Sequence, residues 1–87
     1  MTVYVDNMRA PYGRMLMCHM IADTVDELHR MADRIGVARR WYQGDHYDIC
    51  LAKKKIAMRL GACEVSQREL GRMVMEQRRT LKGGGNG

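Results

Sequence analysis

The chain has 87 residues, with fifteen Lys and Arg against ten Asp and Glu and a formal charge of +5. This length predicts one domain, and the basic excess favours an anionic partner such as a nucleotide or nucleic acid. The three cysteines form no CxxC pair, and their odd number argues against a disulfide framework. No apolar run reaches the roughly 18 residues of a membrane span, and the N-terminus lacks the pattern of a signal peptide. We therefore expect a cytoplasmic protein without a membrane partner.

Two strands are predicted in the first quarter of the chain. Residues 2–6 are β-branched and aromatic with alternating polarity, which predicts a first strand. Turn-forming residues at 6–13, including Pro11, predict a loop. The nearly continuous apolar run at 14–22 has the length and character of a buried central strand.

The first helix carries clear signals at both ends. Thr24 followed by Glu27 forms a capping box, and Gly36 stands where a helix-terminating glycine is expected. The apolar residues between them recur at helical spacing. The next segment, 37–42, has β-forming character and predicts another strand.

Two further helices are predicted in the second half. Asp48 is expected to cap a helix that ends at Gly61 and carries lysines 53–55 on its outer face. Residues 62–65 predict a short strand. Ser66, three residues before a glutamate, forms a second capping box for a last amphipathic helix.

Strands alternating with helices predict a small α/β domain over residues 1–82. We expect a single-layer sheet of three to four short strands covered by about three helices. The glycine-rich tail at 83–87 is expected to be disordered. Because so short a chain buries a modest core, a homo-oligomer is also expected.

One interpretation of the polar residues is a metal site. The candidate ligands are Asp6, Asp23, His46 and Asp48. Asp6 ends one predicted strand and Asp23 follows the next, so neighbouring strands would bring both to the end of the sheet where the 44–48 loop lies. Asp and His side chains there would bind Mg²⁺ or Mn²⁺ and support phosphodiester hydrolysis. No HExxH, zinc-finger or EF-hand spacing accompanies them, and an aspartate beside a helix start has an ordinary capping role.

The other interpretation is ligand binding without turnover. Arginines would hold phosphate, aromatic rings would stack on a base, and the remaining polar side chains would donate or accept hydrogen bonds. The candidate ligand-binding residues are Arg9, His19, Arg39, Arg40, Trp41, His46, Tyr47 and Asp48. Each also has a structural alternative: Trp41 as a core anchor flanked by solvated arginines, and His19 as a hydrogen-bonded histidine inside an apolar strand.

Four blocks resemble a known family: Val3-Tyr4-Val5-Asp6-Asn7-Met8-Arg9, His19-Met20-Ile21-Ala22-Asp23-Thr24, Glu27-Leu28-His29 and His46-Tyr47-Asp48-Ile49. The family is a group of short bacterial and phage-encoded proteins known as domain of unknown function 4031. The resemblance spans roughly residues 1–74 and implies a single cytosolic domain from a bacterium or phage. It brings no established activity, so no catalytic residue is carried over from it.

The leading prediction is a basic protein that binds a phosphate-bearing ligand, nucleotide or nucleic acid, without turnover, in the manner of a phage-encoded inhibitor or nucleotide-sequestering protein. The alternative is a metal-dependent phosphoesterase or nuclease that uses the Asp/His cluster, with a divalent metal as cofactor. A third interpretation is an interaction module that docks on a host protein.

Overall fold

The computed structural model describes the backbone of residues 2–85 and the side chains of residues 2–80. Over this range the strands are β1 (Val3–Asp6), β2 (Ala10–Tyr12), β3 (Met15–Ala22), β4 (Tyr47–Cys50) and β5 (Cys63–Val65). The helices are α1 (Val25–Ile35), α2 (Leu51–Arg59) and α3 (Gln67–Gly85), with a 3₁₀ turn at Arg39–Trp41. The predicted small α/β class is confirmed, with five strands in the sheet instead of three to four.

Strand β3 is the centre of the sheet. It pairs antiparallel with β1, β2 and β4. Met20 lies opposite both Val5 of β1 and Tyr47 of β4, and Met17 lies opposite both Ala10 of β2 and Cys50 of β4. Strands β1 and β2 therefore follow one edge of β3, and β4 follows the other. Strand β5 extends the sheet by pairing parallel to β1.

The two faces of the sheet have different partners. Alternate residues of β1, β3 and β4, including Val5, Met20 and Ile49, form the main core with α1 and α2. Because side chains alternate along a strand, the residues between them point to the opposite face. Helix α3 packs on that face against β1 and β3, and Gln77 donates a hydrogen bond to the Ala22 carbonyl at 2.7 Å. The sheet is thus sandwiched between a helix pair and a single helix.

The signals at the ends of α1 are confirmed. Thr24 Oγ1 accepts a hydrogen bond from the Glu27 amide, and Gly36 has a φ of 82°, the left-handed conformation that a side chain disfavours. The strand predictions at 2–6 and 14–22 are also confirmed. The loop predicted at 6–13 contains strand β2, which forms a hairpin with β3 across a turn that begins at Gly13 with a φ of 61°.

The strand predicted at 37–42 is wrong. Successive backbone bonds from the Trp41 amide to the Ala38 carbonyl and from the Tyr42 amide to the Arg39 carbonyl make a 3₁₀ turn there. The edge of β3 that such a strand would need is occupied by β4.

The prediction that Asp48 caps the second helix is also wrong. Asp48 lies inside β4, opposite His19, and Cys50 takes the N-cap position without a side-chain hydrogen bond. The central lysine of the 53–55 run, Lys54, is buried and forms an ion pair with Glu64 of β5, so that run is not a continuous solvent face.

The capping box of the last helix is confirmed, because Ser66 Oγ accepts from the Glu69 amide at 3.0 Å. Helix α3 extends to Gly85, which lies within the glycine-rich segment 83–87. The last two residues of that segment lie outside the described residues, and its disorder stays a prediction. Among the described residues, no helix is long and apolar enough to cross a membrane.

Candidate metal centre

Two histidines and one aspartate converge on the face of the sheet that carries α3. The pairing of β3 with β4 sets His19 directly opposite Asp48, and His46 lies in the loop that leads into β4. One ligating atom from each of the three side chains lies within 4.8 Å of the others. His19 Nε2 is 3.8 Å and His46 Nε2 is 3.5 Å from Asp48 Oδ1.

The buried carboxylate of Asp6 orients His19. Asp6 is fully inaccessible to solvent, and its Oδ2 lies 2.7 Å from His19 Nδ1. Its Oδ1 accepts hydrogen bonds from the backbone amides of His19 and Met8. A carboxylate at Nδ1 holds the proton on that nitrogen, which leaves Nε2 with a lone pair directed at the cluster. Both Asp6 oxygens are engaged in this way, so Asp6 supports a ligand instead of being one.

Asp45 orients His46 in the same way, through a carboxylate contact to Nδ1. Its Oδ1 lies 2.6 Å from His46 Nδ1, and its Oδ2 accepts a hydrogen bond from Arg78 Nε of α3 at 2.6 Å. Burial alone would raise the pKa of Asp45, but the hydrogen bonds from His46 and Arg78 outweigh it and hold that pKa below its ordinary value. Asp45 is therefore ionised at neutral pH and directs a second Nε2 lone pair at the cluster.

Asp48 completes the set with an oxygen that has no protein partner. Its Oδ2 accepts from Gln43 Nε2 at 2.7 Å, while Oδ1 is buried and, within the part of the chain described, forms no hydrogen bond. Burial of a carboxylate oxygen without a partner costs folding free energy unless a cation or a hydrogen-bond donor binds to it.

The spacing of the three ligand atoms suits a divalent transition metal. Ligands about 2.0 to 2.1 Å from a tetrahedral ion are about 3.3 Å from one another. The observed separations from Asp48 Oδ1, 3.5 and 3.8 Å, exceed this by a few tenths of an ångström. The separation of the two histidine nitrogens is within 4.8 Å, so a bound ion would draw the three side chains closer together. Two imidazoles and one carboxylate also leave a coordination position for water or substrate, as hydrolytic metal sites require.

A groove adjoins the cluster on the same face of the sheet. Its cavity volume is about 700 Å³, and its walls include Tyr4 and Ile21 of the sheet, Leu28 of α1 and Met73 of α3. One end is bounded by the 42–45 loop and Arg78. Gln43 and Asp45, which contact Asp48 and His46, therefore also line the groove.

The other predicted binding residues are not part of this cluster. Arg39 forms a two-point ion pair with Asp33 of α1, which lowers the pKa of that carboxyl group. Trp41 is 58% exposed and the Arg40 guanidinium lies 5.3 Å from the centre of its ring. Trp41 is thus not a core anchor. Arg9 lies between β1 and β2 and is exposed.

Tyr47 belongs to the opposite face of the sheet. It is completely buried, its hydroxyl lies 2.6 Å from His29 Nδ1, and its ring packs against those of His29 and Tyr42. A ring in this position cannot stack on a ligand without opening the core.

Asp23 lies at the other end of the sheet from Asp6, since β1 and β3 are antiparallel. Its Oδ2 accepts from the Thr2 amide at 2.8 Å. Cys18 is buried in the core, where burial raises the pKa of its thiol to about 12. It is therefore inert as a nucleophile at neutral pH.

Sequence reasoning named His19, His46 and Asp48 but missed Asp45 and Arg78 as parts of the site. The adjacency of Asp45 to His46 was a usable signal, since a carboxylate that orients a ligating histidine is a recurrent arrangement. The contribution of α3 depends on tertiary packing and had no local signal.

The family model described as a protein of unknown function (DUF4031) matches residues 3–77. The chain belongs to this family. The match covers every residue of the DUF4031 cluster except Arg78, the first residue beyond it. No curated protein and no solved structure matches the DUF4031 chain.

Proposed function

We propose that the protein is a metal-dependent phosphoesterase whose divalent ion is bound by His19, His46 and Asp48. The observation that carries the proposal is the convergence of two carboxylate-oriented Nε2 atoms on an unpartnered buried oxygen, Asp48 Oδ1. Structural carboxylate and histidine clusters normally satisfy one another with short hydrogen bonds. Here the atoms that face one another are 3.5 and 3.8 Å apart, which is too far for hydrogen bonds and near the separation of ligands around one ion.

The charge of the protein supports an anionic substrate. The chain carries a formal charge of +5. Arg78 forms a hydrogen bond with Asp45, which in turn contacts His46. A guanidinium suits a phosphoryl oxygen because it offers several donors in one plane. A phosphoester of a nucleotide or nucleic acid has both the negative charge and the phosphoryl oxygens that these features favour.

Each residue then has a defined task. A bound divalent ion would supply Lewis acidity and lower the pKa of a coordinated water towards neutrality. His19, His46 and Asp48 would hold that ion, and Asp6 and Asp45 would keep the two imidazoles in the ligating tautomer. In the overall hydrolysis water would add to phosphorus and release a proton to solvent, while the bond from phosphorus to the ester oxygen would break and the departing oxygen would take up a proton from solvent.

The test is metal-dependent hydrolysis of p-nitrophenyl phosphate, a monoester, and of bis(p-nitrophenyl) phosphate, a diester. Metal-depleted protein should be inactive, and Zn²⁺ or Mn²⁺ should restore p-nitrophenol release. The His46→Ala and Asp48→Asn variants should lose both activity and zinc affinity. The matched control is His29→Gln, which alters a histidine bonded to Tyr47 on the opposite face and should leave zinc affinity unchanged.

Two results would overturn this proposal. One is the absence of turnover with any divalent metal across phosphomonoesters and phosphodiesters. The other is turnover that requires Fe²⁺ and dioxygen, because two histidines and one carboxylate are also the ligands of non-haem iron oxygenases. Assays run without oxygen distinguish hydrolysis from that chemistry.

A further inference from the structure

We propose that the groove beside the metal cluster binds the nucleoside part of a nucleoside monophosphate, whose phosphate group lies between the metal and Arg78. This inference rests on the proposed function and names the substrate class of the same site. It follows from three features of the groove: its apolar lining, the cation Arg78 and the carboxylates of Asp23 and Glu76.

The walls suit a flat, largely apolar group. Tyr4 lines the groove from the sheet and Met73 lines it from α3, and both side chains are partly exposed. A cavity of about 700 Å³ is within the range of sites that bind small ligands, and it is large enough for a base with its sugar. Aromatic and thioether side chains contact nucleobases with little dependence on sequence, because every base presents a π face.

Arg78 stands where the groove meets the metal cluster. Its Nε bonds to Asp45 Oδ2, and Asp45 Oδ1 contacts the His46 ligand. Among the described residues Asp45 is the only carboxylate that pairs with Arg78, and the Arg78 side chain is 61% exposed. Its terminal amino groups therefore have room to donate to a phosphoryl oxygen while Nε keeps Asp45 in position.

Two further carboxylates disfavour a ligand that carries phosphates along the length of the groove. Asp23 and Glu76 are among the residues that line it. Carboxylates there accept hydrogen bonds from sugar hydroxyls or base amino groups, but they repel a second phosphate. We therefore infer a mononucleotide and exclude a nucleic-acid strand running through the groove.

The experiment measures ligand binding to the zinc-loaded protein by calorimetry. The probes are the phosphonate analogues of AMP, GMP, CMP and UMP, whose C–P bond the proposed hydrolysis does not cleave, with the phosphonate analogue of ribose 5-phosphate and inorganic phosphate as ligands that lack a base. The test variant is Met73→Trp, which fills the groove. Its control is Met75→Trp on the same helix, because Met75 is 58% exposed and is not among the residues that line the groove. Circular dichroism checks that both variants fold, and zinc titration measures the metal site separately.

At least one nucleotide analogue should bind about tenfold or more tightly than the ribose 5-phosphate analogue. Met73→Trp should remove that difference and keep zinc affinity, while Met75→Trp should change neither. Equal binding of the nucleotide and ribose analogues, or nucleotide-analogue binding that survives Met73→Trp, would overturn the groove assignment and leave the metal assignment standing. A failure of the unmodified protein to bind zinc would instead overturn the proposed function and this inference with it. Should a folded Met73→Trp variant not be obtained, Val25→Trp at the exposed rim of the groove serves the same test.

Discussion

Replacement of Asp6 by asparagine should weaken metal binding without unfolding the protein. The amide is nearly isosteric with the carboxylate, and its oxygen can accept from the two backbone amides that Oδ1 now serves, at 3.0 and 3.3 Å. Its amino group then faces His19 Nδ1, which lies 2.7 Å from Oδ2 in the present structure. A donor at that position forces Nδ1 to accept. The imidazole proton moves to Nε2, and a protonated nitrogen cannot bind a metal.

The size of the effect follows from this change of tautomer. Loss of a carboxylate that orients a metal-ligating histidine costs about 10- to 100-fold in metal affinity. That range corresponds to about 1.4 to 2.8 kcal/mol of binding free energy. Competition between the protein and a chromophoric chelator for zinc measures the affinity, and the ¹⁵N shifts of the ring report the tautomer of His19.

The control is Asp23→Asn. Asp23 also accepts a backbone amide hydrogen bond at a strand end, but it lies beyond the end of β3 and outside the cluster around His19. Its replacement should leave zinc affinity unchanged. The reasoning is refuted if Asp6→Asn binds zinc as tightly as the parent protein, or if the affinity falls while His19 keeps its proton on Nδ1.

Three further predictions concern stability and reactivity. The hydrogen bonds of Asp45 lower its pKa in the folded protein below the unfolded value of about 3.9. The ionised carboxylate therefore stabilises the fold above that pH. This stabilisation disappears as the pH falls through the lower pKa of the folded state. The loss of thermal stability in Asp45→Asn should therefore be present at pH 7 and shrink as the pH falls below about 3.9. A difference that stays constant as the pH falls through this range argues against this linkage. Iodoacetamide at pH 8 should label exposed Cys63 in the native protein but reach Cys18 only after unfolding, as peptide mass spectrometry would reveal. Tyr47→Phe removes the hydroxyl that contacts His29 and should lower the free energy of unfolding by about 0.5 to 1.5 kcal/mol in urea titrations, with unchanged zinc affinity.

Local signals were sufficient for the elements that carry them. Thr24, Glu27 and Gly36 define α1 because capping chemistry acts over three or four residues of sequence. The apolar run that becomes β3 is long enough to indicate a buried strand. The mixed α/β class followed from the alternation of these two kinds of segment.

Short segments were decided by partners distant in sequence. Tyr47–Cys50 has the alternation of buried and partly exposed residues that is typical of a strand. Its apolar residues also fit the helical spacing of the apolar residues in α2, so the segment could equally be read as the start of that helix. Pairing with β3 settles the choice for β4, while Arg39–Trp41 forms a 3₁₀ turn. Neither outcome is encoded within the segments themselves.

The candidate site was only partly predictable for the same reason. Its ligands were recognisable as polar residues beside strands, but the register of β3 against β4 is what sets His19 opposite Asp48. The antiparallel pairing of β1 with β3 likewise separates Asp6 from Asp23, which a parallel arrangement would have joined. A shift in register by one residue would send His19 to the opposite face and abolish the cluster.

The most direct test of the metal centre is anomalous diffraction at the zinc absorption edge from a crystal grown with zinc. We predict an anomalous peak about 2.0 to 2.2 Å from His19 Nε2, His46 Nε2 and a carboxylate oxygen of Asp48. The absence of density at this cluster, with zinc bound instead at other side chains, would contradict the proposed centre.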